Sequence, residues 1–595
     1  MRVDKNFYRK TDQYLMPVTK EVVDDFGYDI YPCFNLPSGQ ISLGIETLID
    51  RLNGIKFVLI DGYVGIFWKE IASEIEKEYA KRGLNVRFWF TEDYMHTPEK
   101  LEEQLSPYLG GNDPVFGKIT DKRLKDWFKP SFFNLQRDSS CDVNIVIGCG
   151  ASLVQCNEDA KLIYIDLPKN ELQFRMRAGS VTNLGAKSLS DNKQMYKRSY
   201  FVDWVVLNAH KCQILEDIDF IIDGQQIEEV LFMSGDDLRN GLTAMSENFI
   251  RVKPWFEPGA WGGTWMKDHI KGLNKNVPNL AWSFELMVLE NGLLFSSDNY
   301  LFEVSFDFLM YNNYKEVLGE CANRFKYDFP IRFDFLDTFD GGNLSIQCHP
   351  RNEYIKEHFG MPFTQDETYY ILDCKEDAQV YLGLQEDINK EEFQAELERS
   401  QQQSCAIDIE KFVQKHPAKK HDLFLIPNGT IHGSGTNNMV LEISSSPYIF
   451  TFKMYDWMRL DLDGKPRPIN IQHGMNNLEM SRKGEAVKDL ICKPYILESA
   501  PNYIIEHLPT HNDQFYDIER YSISDEISIA TENKCHVWMI VEGQSVLIET
   551  KKGYQQRFHY AETFIIPAAA GEYKIVNEGD EKVVLVKSYV KRENN

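Results

Sequence analysis

Apolar and polar positions are patterned differently in successive parts of the chain. Phe57-Val58-Leu59-Ile60 is a short unbroken apolar run; a turn carrying Gly62 and Gly65 follows, then an amphipathic segment from Trp68 to about Arg82. That succession predicts strand, loop and helix. Two further apolar runs, Val143-Asn144-Ile145-Val146-Ile147 and Leu162-Ile163-Tyr164-Ile165, are spaced by helical stretches. Unbroken runs of this kind suit strands buried on both faces, so residues 41–235 are expected to form an α/β domain with a parallel sheet. Residues 1–40, mixed and rich in turn formers, read as an N-terminal arm.

After Asp236 the texture changes to short β-like runs broken by Gly, Pro and Asn. One plainly helical stretch interrupts them, from Asn389 to about Gln414, rich in Glu, Gln and Lys. Residues 236–500 are therefore expected to form a β-sandwich or barrel with a helical insert at about 386–416. Residues 501–595 repeat the theme, with strands expected at Val537–Gly543, Ser545–Ile548 and Thr563–Pro567, at hairpin spacing. A second small barrel follows from that spacing.

Composition narrows the function. The chain has 595 residues, enough for about three or four domains. Its 65 Lys and Arg against 90 Asp and Glu give a formal net charge of −25, which argues against broad binding to nucleic acid or anionic membranes. Eleven cysteines without any C-x-x-C pair fit reduced thiols better than a disulfide framework or a Cys-held zinc. No stretch approaches the roughly 18 apolar residues of a membrane span, so a cytoplasmic protein is expected.

Two constellations carry chemistry. The first is Ile60-Asp61-Gly62-Tyr63-Val64-Gly65-Ile66-Phe67-Trp68-Lys69, at a strand-to-helix turn of the sort that holds phosphate. A working loop needs G-x-x-x-x-G-K-[ST]. Here Phe67 stands for the second glycine, Trp68 for the lysine, and Lys69 for the magnesium-binding hydroxyl. Downstream, Asp166-Leu167-Pro168 with Arg175 and Arg177 is similar to the lid of small-molecule kinases such as the uridine kinase group. The resemblance implies a degenerate P-loop-like domain. Gly62, Gly65 and Lys69 are its candidate nucleotide contacts, and a kinase-like scaffold without nucleotide is the alternative.

The second constellation offers imidazole, carboxylate and amide groups, suitable for a divalent ion. Gln347 and His349 lie two apart on one expected strand and so on one face, and Pro350 ends that strand. Glu367 begins the run Thr368-Tyr369-Tyr370-Ile371, and His432 follows the turn Pro427-Asn428-Gly429-Thr430. Taken singly, each His is more often a surface or hydrogen-bonded residue than a ligand. Jointly, Gln347-Cys348-His349-Pro350, Glu367-Thr368-Tyr369-Tyr370-Ile371, Ile426-Pro427-Asn428-Gly429-Thr430-Ile431-His432 and Tyr455-Asp456-Trp457-Met458-Arg459 resemble, in order, the motifs of the type I (cupin) mannose-6-phosphate isomerases. Trp261-Gly262-Gly263 matches that family's early Trp-Gly-Gly, and the resemblance spans about 250–595.

That resemblance implies cupin (jelly-roll) domains and one zinc ion per chain held by Gln347, His349, Glu367 and His432. It implies Arg459 as the catalytic cation and a substrate that is a small sugar or sugar phosphate. The family moves a proton between C1 and C2 of mannose 6-phosphate and fructose 6-phosphate through a cis-enediol. Two pocket lysines of the family are replaced here, by Asp334 and Gln365, and Arg332, Lys453 and Arg459 are the cations that could compensate in part for the sugar phosphate. Alternation places Arg332 and Asp334 on one face, where they could pair instead. Two other readings follow from these losses: a non-catalytic metal-binding carbohydrate sensor, and an isomerase of an unphosphorylated sugar.

Overall fold

The three apolar runs expected as buried strands lie side by side in one sheet of seven strands. In the computed structural model, which describes residues 8–20, 27–155 and 159–592, its order is Val86–Phe90, Val143–Ile147, Phe57–Gly62, Lys161–Asp166, Phe220–Asp223, Leu231–Ser234 and Ile41–Leu43. The first five run parallel, Leu231–Ser234 runs against them, and Ile41–Leu43 pairs antiparallel with Leu231–Ser234 at the edge. Helices cover the sheet, which is why every residue of Phe57–Gly62 and Val143–Ile147 is buried. The helix Trp68–Lys81 buries Ala72, Ile75 and Tyr79, spaced as one helical face requires.

The helix Gly235–Ser246 continues this domain past residue 235. Its first amide donates to the Asp219 carbonyl at 2.8 Å, and Arg239 from its second turn donates to the carbonyls of Leu215 and Ile218. The arm is not a separate unit: Cys33–Asn35 pairs in parallel with Gly292–Ser297, which pairs with Tyr300–Ser305.

The central region is an antiparallel sandwich. One sheet orders Leu423–Ile426, Glu367–Cys374, Asn438–Ser445, Ile331–Asp337, Trp282–Leu286 and Trp255–Glu257. The facing sheet orders Val413–Pro417, Gln379–Leu384, His432–Ser434, Ile346–Cys348 and Phe452–Tyr455. The insert is a helix over Lys390–Gln403, capped by the Asn389 side chain, which accepts from the Glu392 amide at 2.8 Å. It is shorter than the expected run to Gln414. The chain turns at Ser404, with φ 50°, and Gln414 belongs to the strand Val413–Pro417. The C-terminal region adds sheets of six and four strands, including His536–Glu542, Ser545–Thr550 and Thr563–Ile566, close to the expected bounds.

A buried ionic network ties the α/β domain to the segment that runs from the strand Tyr300–Ser305 into the helix Asp307–Leu318. Lys211, with no exposed side-chain surface, contacts Asp166 at 2.9 Å and Asp307 at 3.0 Å, and Lys169 reaches the same Asp307 at 3.2 Å. Asp166 also accepts from the Ser305 amide and hydroxyl. Buried charges on both sides leave neither partner able to separate without stranding an ion, so the two domains are held as one body. Beside it, Phe116 packs against Phe359 and Phe452, the latter in the strand that pairs with Ile346–Cys348.

Candidate metal centre

His349, Glu367 and His432 meet inside the central sandwich, with one ligand atom from each all within 4.8 Å of one another. The ladder brings them together: Gln347 pairs with His432 across two strands, and Glu367 is the first residue of an inner strand of the opposing sheet, paired with Ile426 on one side and Ser444 on the other. His349 follows the strand Ile346–Cys348 directly, before Pro350. All four side chains are buried, from 0% exposed at His432 to 6% at Gln347.

Each imidazole is oriented from behind. His349 Nδ1 lies 3.0 Å from the Phe450 carbonyl, and His432 Nδ1 lies 2.9 Å from the Thr430 carbonyl. A backbone carbonyl there takes a proton on Nδ1 and leaves the Nε2 lone pair facing inward, the tautomer a metal ligand needs. The two Nε2 atoms face the same carboxylate, His349 at 2.9 Å from Glu367 Oε1 and His432 at 3.2 Å from Oε2. His349 Nε2 and Glu367 Oε2 nevertheless form no hydrogen bond. Buried polar atoms that converge without bonding are the arrangement a cation completes, so these residues fit a divalent ion. Gln347 has its Nε2 at 3.3 Å from His432 Nε2, while its Oε1 accepts from Ser345 Oγ at 2.8 Å. Turning that amide over would present its oxygen to the centre. Burial alone would raise the Glu367 pKa; the two imidazoles beside it, His349 foremost, hold it well below the ordinary carboxylate value.

The walls of the centre are polar. Arg332 has Nε 3.4 Å from Asp334 Oδ1 and Nη2 3.5 Å from Glu367 Oε1, and it is paired with Glu442. Its charge is therefore shared among three carboxylates. Burial pushes the Asp334 carboxyl up to about 7, with Arg332 pulling the other way. Asp334 Oδ1, Gln365 Oε1 and the Tyr369 hydroxyl are buried without a hydrogen-bond partner, while Gln365 Nε2 donates to Glu367 Oε1 at 2.6 Å. Lys453 stands opposite Gln347 in the strand ladder, so both side chains leave the sheet on the same face. Its ammonium forms no hydrogen bond or ion pair among the described residues; burial and then Arg467 lower its pKa to about 8.

A family profile described as "Domain of unknown function (DUF8485)" matches residues 44–247, the α/β domain through the end of the helix Gly235–Ser246. The mannose-6-phosphate isomerase ManA of Bacillus subtilis is 23% identical over 328 residues, 54% of this chain and 94% of the relative. The mannose-6-phosphate isomerase of Streptococcus mutans serotype c is 30% identical over 177 residues, 30% of this chain and 51% of the relative. The crystal structure of the mannose 6-phosphate isomerase from Bacillus subtilis matches at 21% identity and TM-score 0.47, over 58% of this chain and 100% of that one. Over about half its length this chain is thus similar to mannose-6-phosphate isomerases, at low identity. The relationship supports an enzyme of the sugar-isomerase class.

Arg459 is held by Asp456 and by the Asn343 carbonyl. Its Nη2 pairs with Asp456 at 2.6 Å and its Nη1 donates to the Asn343 carbonyl at 2.7 Å, while Arg467 holds the other side of Asp456. The two arginines share one acid because the turn after the strand Phe452–Tyr455 folds back on the chain before Ile346.

The glycine turn of the α/β domain is filled from within. A Cβ at Gly62 would lie 2.4 Å from the Ile165 carbonyl oxygen, and Gly65, at φ +92°, packs against Leu167 and Leu172. Buried Arg175 donates to the carbonyls of Gly65, Gly224 and Gln225 at 2.9, 2.9 and 3.0 Å, with Phe67 stacked 4.5 Å from its guanidinium. Lys69 points away, exposed and 3.3 Å from Glu92. The structure thus does not gather Gly62, Gly65 and Lys69 around one point. Arg177 pairs with Glu257 of the sandwich at 2.9 Å, so the two arginines of the lid-like stretch have structural partners.

Sequence reasoning did not single out Glu442, Tyr369 or the buried role of Gln365. A signal existed for the first: Glu442 interrupts the apolar run Met439–Ile443 and Ser444 follows it two positions on, which marks a polar wall on one face of a buried strand.

Proposed function

We propose that this protein is a zinc-dependent aldose–ketose isomerase that interconverts mannose 6-phosphate and fructose 6-phosphate through a cis-enediol. The observation that carries the reading is the convergence of His349, Glu367 and His432 in a chain related to sugar isomerases. In this reading the two Nε2 atoms, the Glu367 carboxylate and the rotated Gln347 amide hold one zinc ion, a donor set that zinc accepts. A divalent ion bound there orients the oxygens of the open-chain sugar and offsets negative charge that builds on them.

The remaining work falls to the chain. Isomerisation needs a group that takes a proton from C2 and returns it to C1. Asp334 occupies that role in our reading: it is buried beside Glu367, and one of its oxygens has no hydrogen bond. The unpartnered Tyr369 hydroxyl and Gln365 oxygen hold sugar hydroxyls. Arg332, already shared among acids, steadies Asp334, and Lys453 is the cation left for the phosphate. Arg459 ties Asp456 to Asn343 and positions the wall behind Gln347. The free described cysteines suit a reducing, cytoplasmic setting.

The deciding experiment is turnover of mannose 6-phosphate by the zinc-loaded protein. Retained metal with no fructose 6-phosphate formed would remove the substrate claim. A second reading, a metal-binding carbohydrate sensor, draws on the capture of Arg332 and Arg459 by acids; it expects sugar binding without turnover.

A further inference from the structure

Two side chains outside the ligand set grip the backbone of the metal centre. The first comes from the C-terminal region. Residues His511 to Gln514 form a turn ahead of the strand Tyr516–Ile523, closed by the Gln514 amide, which donates to the His511 carbonyl at 3.1 Å. The Gln514 side chain is fully buried. Its Oε1 accepts from the His511 amide at 2.8 Å, which turns Nε2 the other way, and Nε2 donates to the Glu367 carbonyl at 2.5 Å. Tyr516, two residues on, donates from its hydroxyl to the Ile443 carbonyl at 2.9 Å, in the strand beside Glu367.

The second is Arg482. Its Nη1 reaches the carbonyls of Pro427, at 2.9 Å, and Asn428, and the Thr430 hydroxyl at 2.7 Å. All three acceptors lie in the turn that delivers His432. The Thr430 carbonyl orients His432 Nδ1, and the Gly429 amide donates to the His349 carbonyl at 2.9 Å. One turn therefore touches both imidazole ligands, and Arg482 fixes that turn. Arg482 Nη2 pairs in its turn with Asp513, the neighbour of Gln514, at 2.9 Å. Neither grip is needed to close the local structure: Glu367 already has strand partners on both sides, and the turn has its own bonds from the Thr430 amide and hydroxyl to the Pro427 carbonyl, at 3.1 and 2.6 Å. What the added contacts supply is precision in where the ligands stand.

We propose that Gln514 and Arg482 are positioning residues of the metal centre, through which the C-terminal region sets how tightly the divalent ion is held. The proposal rests on the reading of His349, Glu367 and His432 as metal ligands and names what holds them in register. It gives the C-terminal region a part in the centre, although the ligands all come from the central sandwich.

The test uses the full chain with Gln514→Met, Arg482→Met and Arg482→Lys, and Lys488→Gln as a control at an exposed position. Zinc affinity is measured by competition with a chromogenic chelator, ligand geometry by the visible absorption of the cobalt(II)-substituted protein, and folding by the melting temperature without metal. Gln514→Met and Arg482→Met are each expected to raise the zinc dissociation constant about tenfold to a hundredfold and to alter the cobalt bands. Arg482→Lys should recover part of the loss, because its ammonium still donates to the turn but lacks the fork of the guanidinium. Lys488→Gln should change nothing. Should Arg482→Met fail to fold, Arg482→Lys decides for that residue: an affinity below wild type supports the proposal and wild-type affinity counts against it. A lower melting temperature with wild-type zinc affinity and cobalt bands in the Gln514 and Arg482 variants would mean a structural role only and overturn the proposal, while the metal centre stands. A wild-type protein that binds no zinc would remove the centre and the proposal together.

Discussion

Arg332 Nε lies 3.4 Å from Asp334 Oδ1, two residues along the same strand and on the same face. The pair replaces a lone positive charge with a neutralised one, beside Glu367. Asp334→Asn keeps the shape and removes the proton carrier. Turnover of mannose 6-phosphate is expected to fall about 100-fold or more, the usual scale for losing a general acid or base, while bound metal stays at the wild-type level. Loss of metal together with activity would mean that Asp334 serves the ligand set and not the sugar.

Removing a ligand should remove the ion. His349→Ala and His432→Ala are each expected to lower zinc per chain, measured by elemental analysis, to a small fraction of wild type. Chelation of the wild-type protein should lower its melting temperature, because an ion that binds only the folded chain adds about 4 kcal/mol of stability at a thousand times its dissociation constant. The two variants should show no such shift. Zinc content equal to wild type in both would exclude the proposed centre.

Glu285 offers a pH readout away from the metal. Burial raises its pKa to about 7, against the pull of Arg251, and it accepts from Tyr28 and from Ser283 Oγ at 2.7 Å. A raised folded-state pKa means that the native protein holds a proton the unfolded chain releases near 4.5. Stability from this group is therefore present below that value and lost as pH rises toward about 7. Glu285→Gln should flatten the decline in melting temperature across that window relative to wild type. An unchanged slope would show that Glu285 is already ionised in the folded protein.

Arg175 tests the filled glycine turn. Replacing it by Ala strands the carbonyls of Gly65, Gly224 and Gln225, so a loss of about 3 kcal/mol or more in stability is expected by denaturant unfolding. ATP with magnesium should not raise the wild-type melting temperature, because the guanidinium and leucines occupy the turn. A clear shift with ATP would reopen nucleotide binding at Gly62 and Gly65.

Local chemistry was legible in the sequence. Unbroken apolar runs showed the buried strands Phe57–Gly62 and Val143–Ile147, two-residue spacing put Gln347 and His349 on one face, and the resemblance of the ordered motifs to a known family nominated Glu367 and His432 as their fellow ligands. These signals are short-range: burial on both faces demands apolar residues in a row, and two-residue alternation puts side chains on one face. The helix of the insert was also visible, although its end at Gln403 was not, since a single turn residue at Ser404 decided it.

Tertiary structure alone decided which charges are spent and which are free. Asp456 captures Arg459, three acids share Arg332, and Arg175 fills the glycine turn, whereas the Lys453 ammonium has no hydrogen-bond or ion-pair partner among the described residues. It also brought Gln514 onto the Glu367 carbonyl across a gap of 147 residues in the chain, a separation no local pattern records. Electrostatic pairing depends on distances of a few ångströms between strands and domains, so composition and spacing can nominate ionic groups but only packing determines their partners.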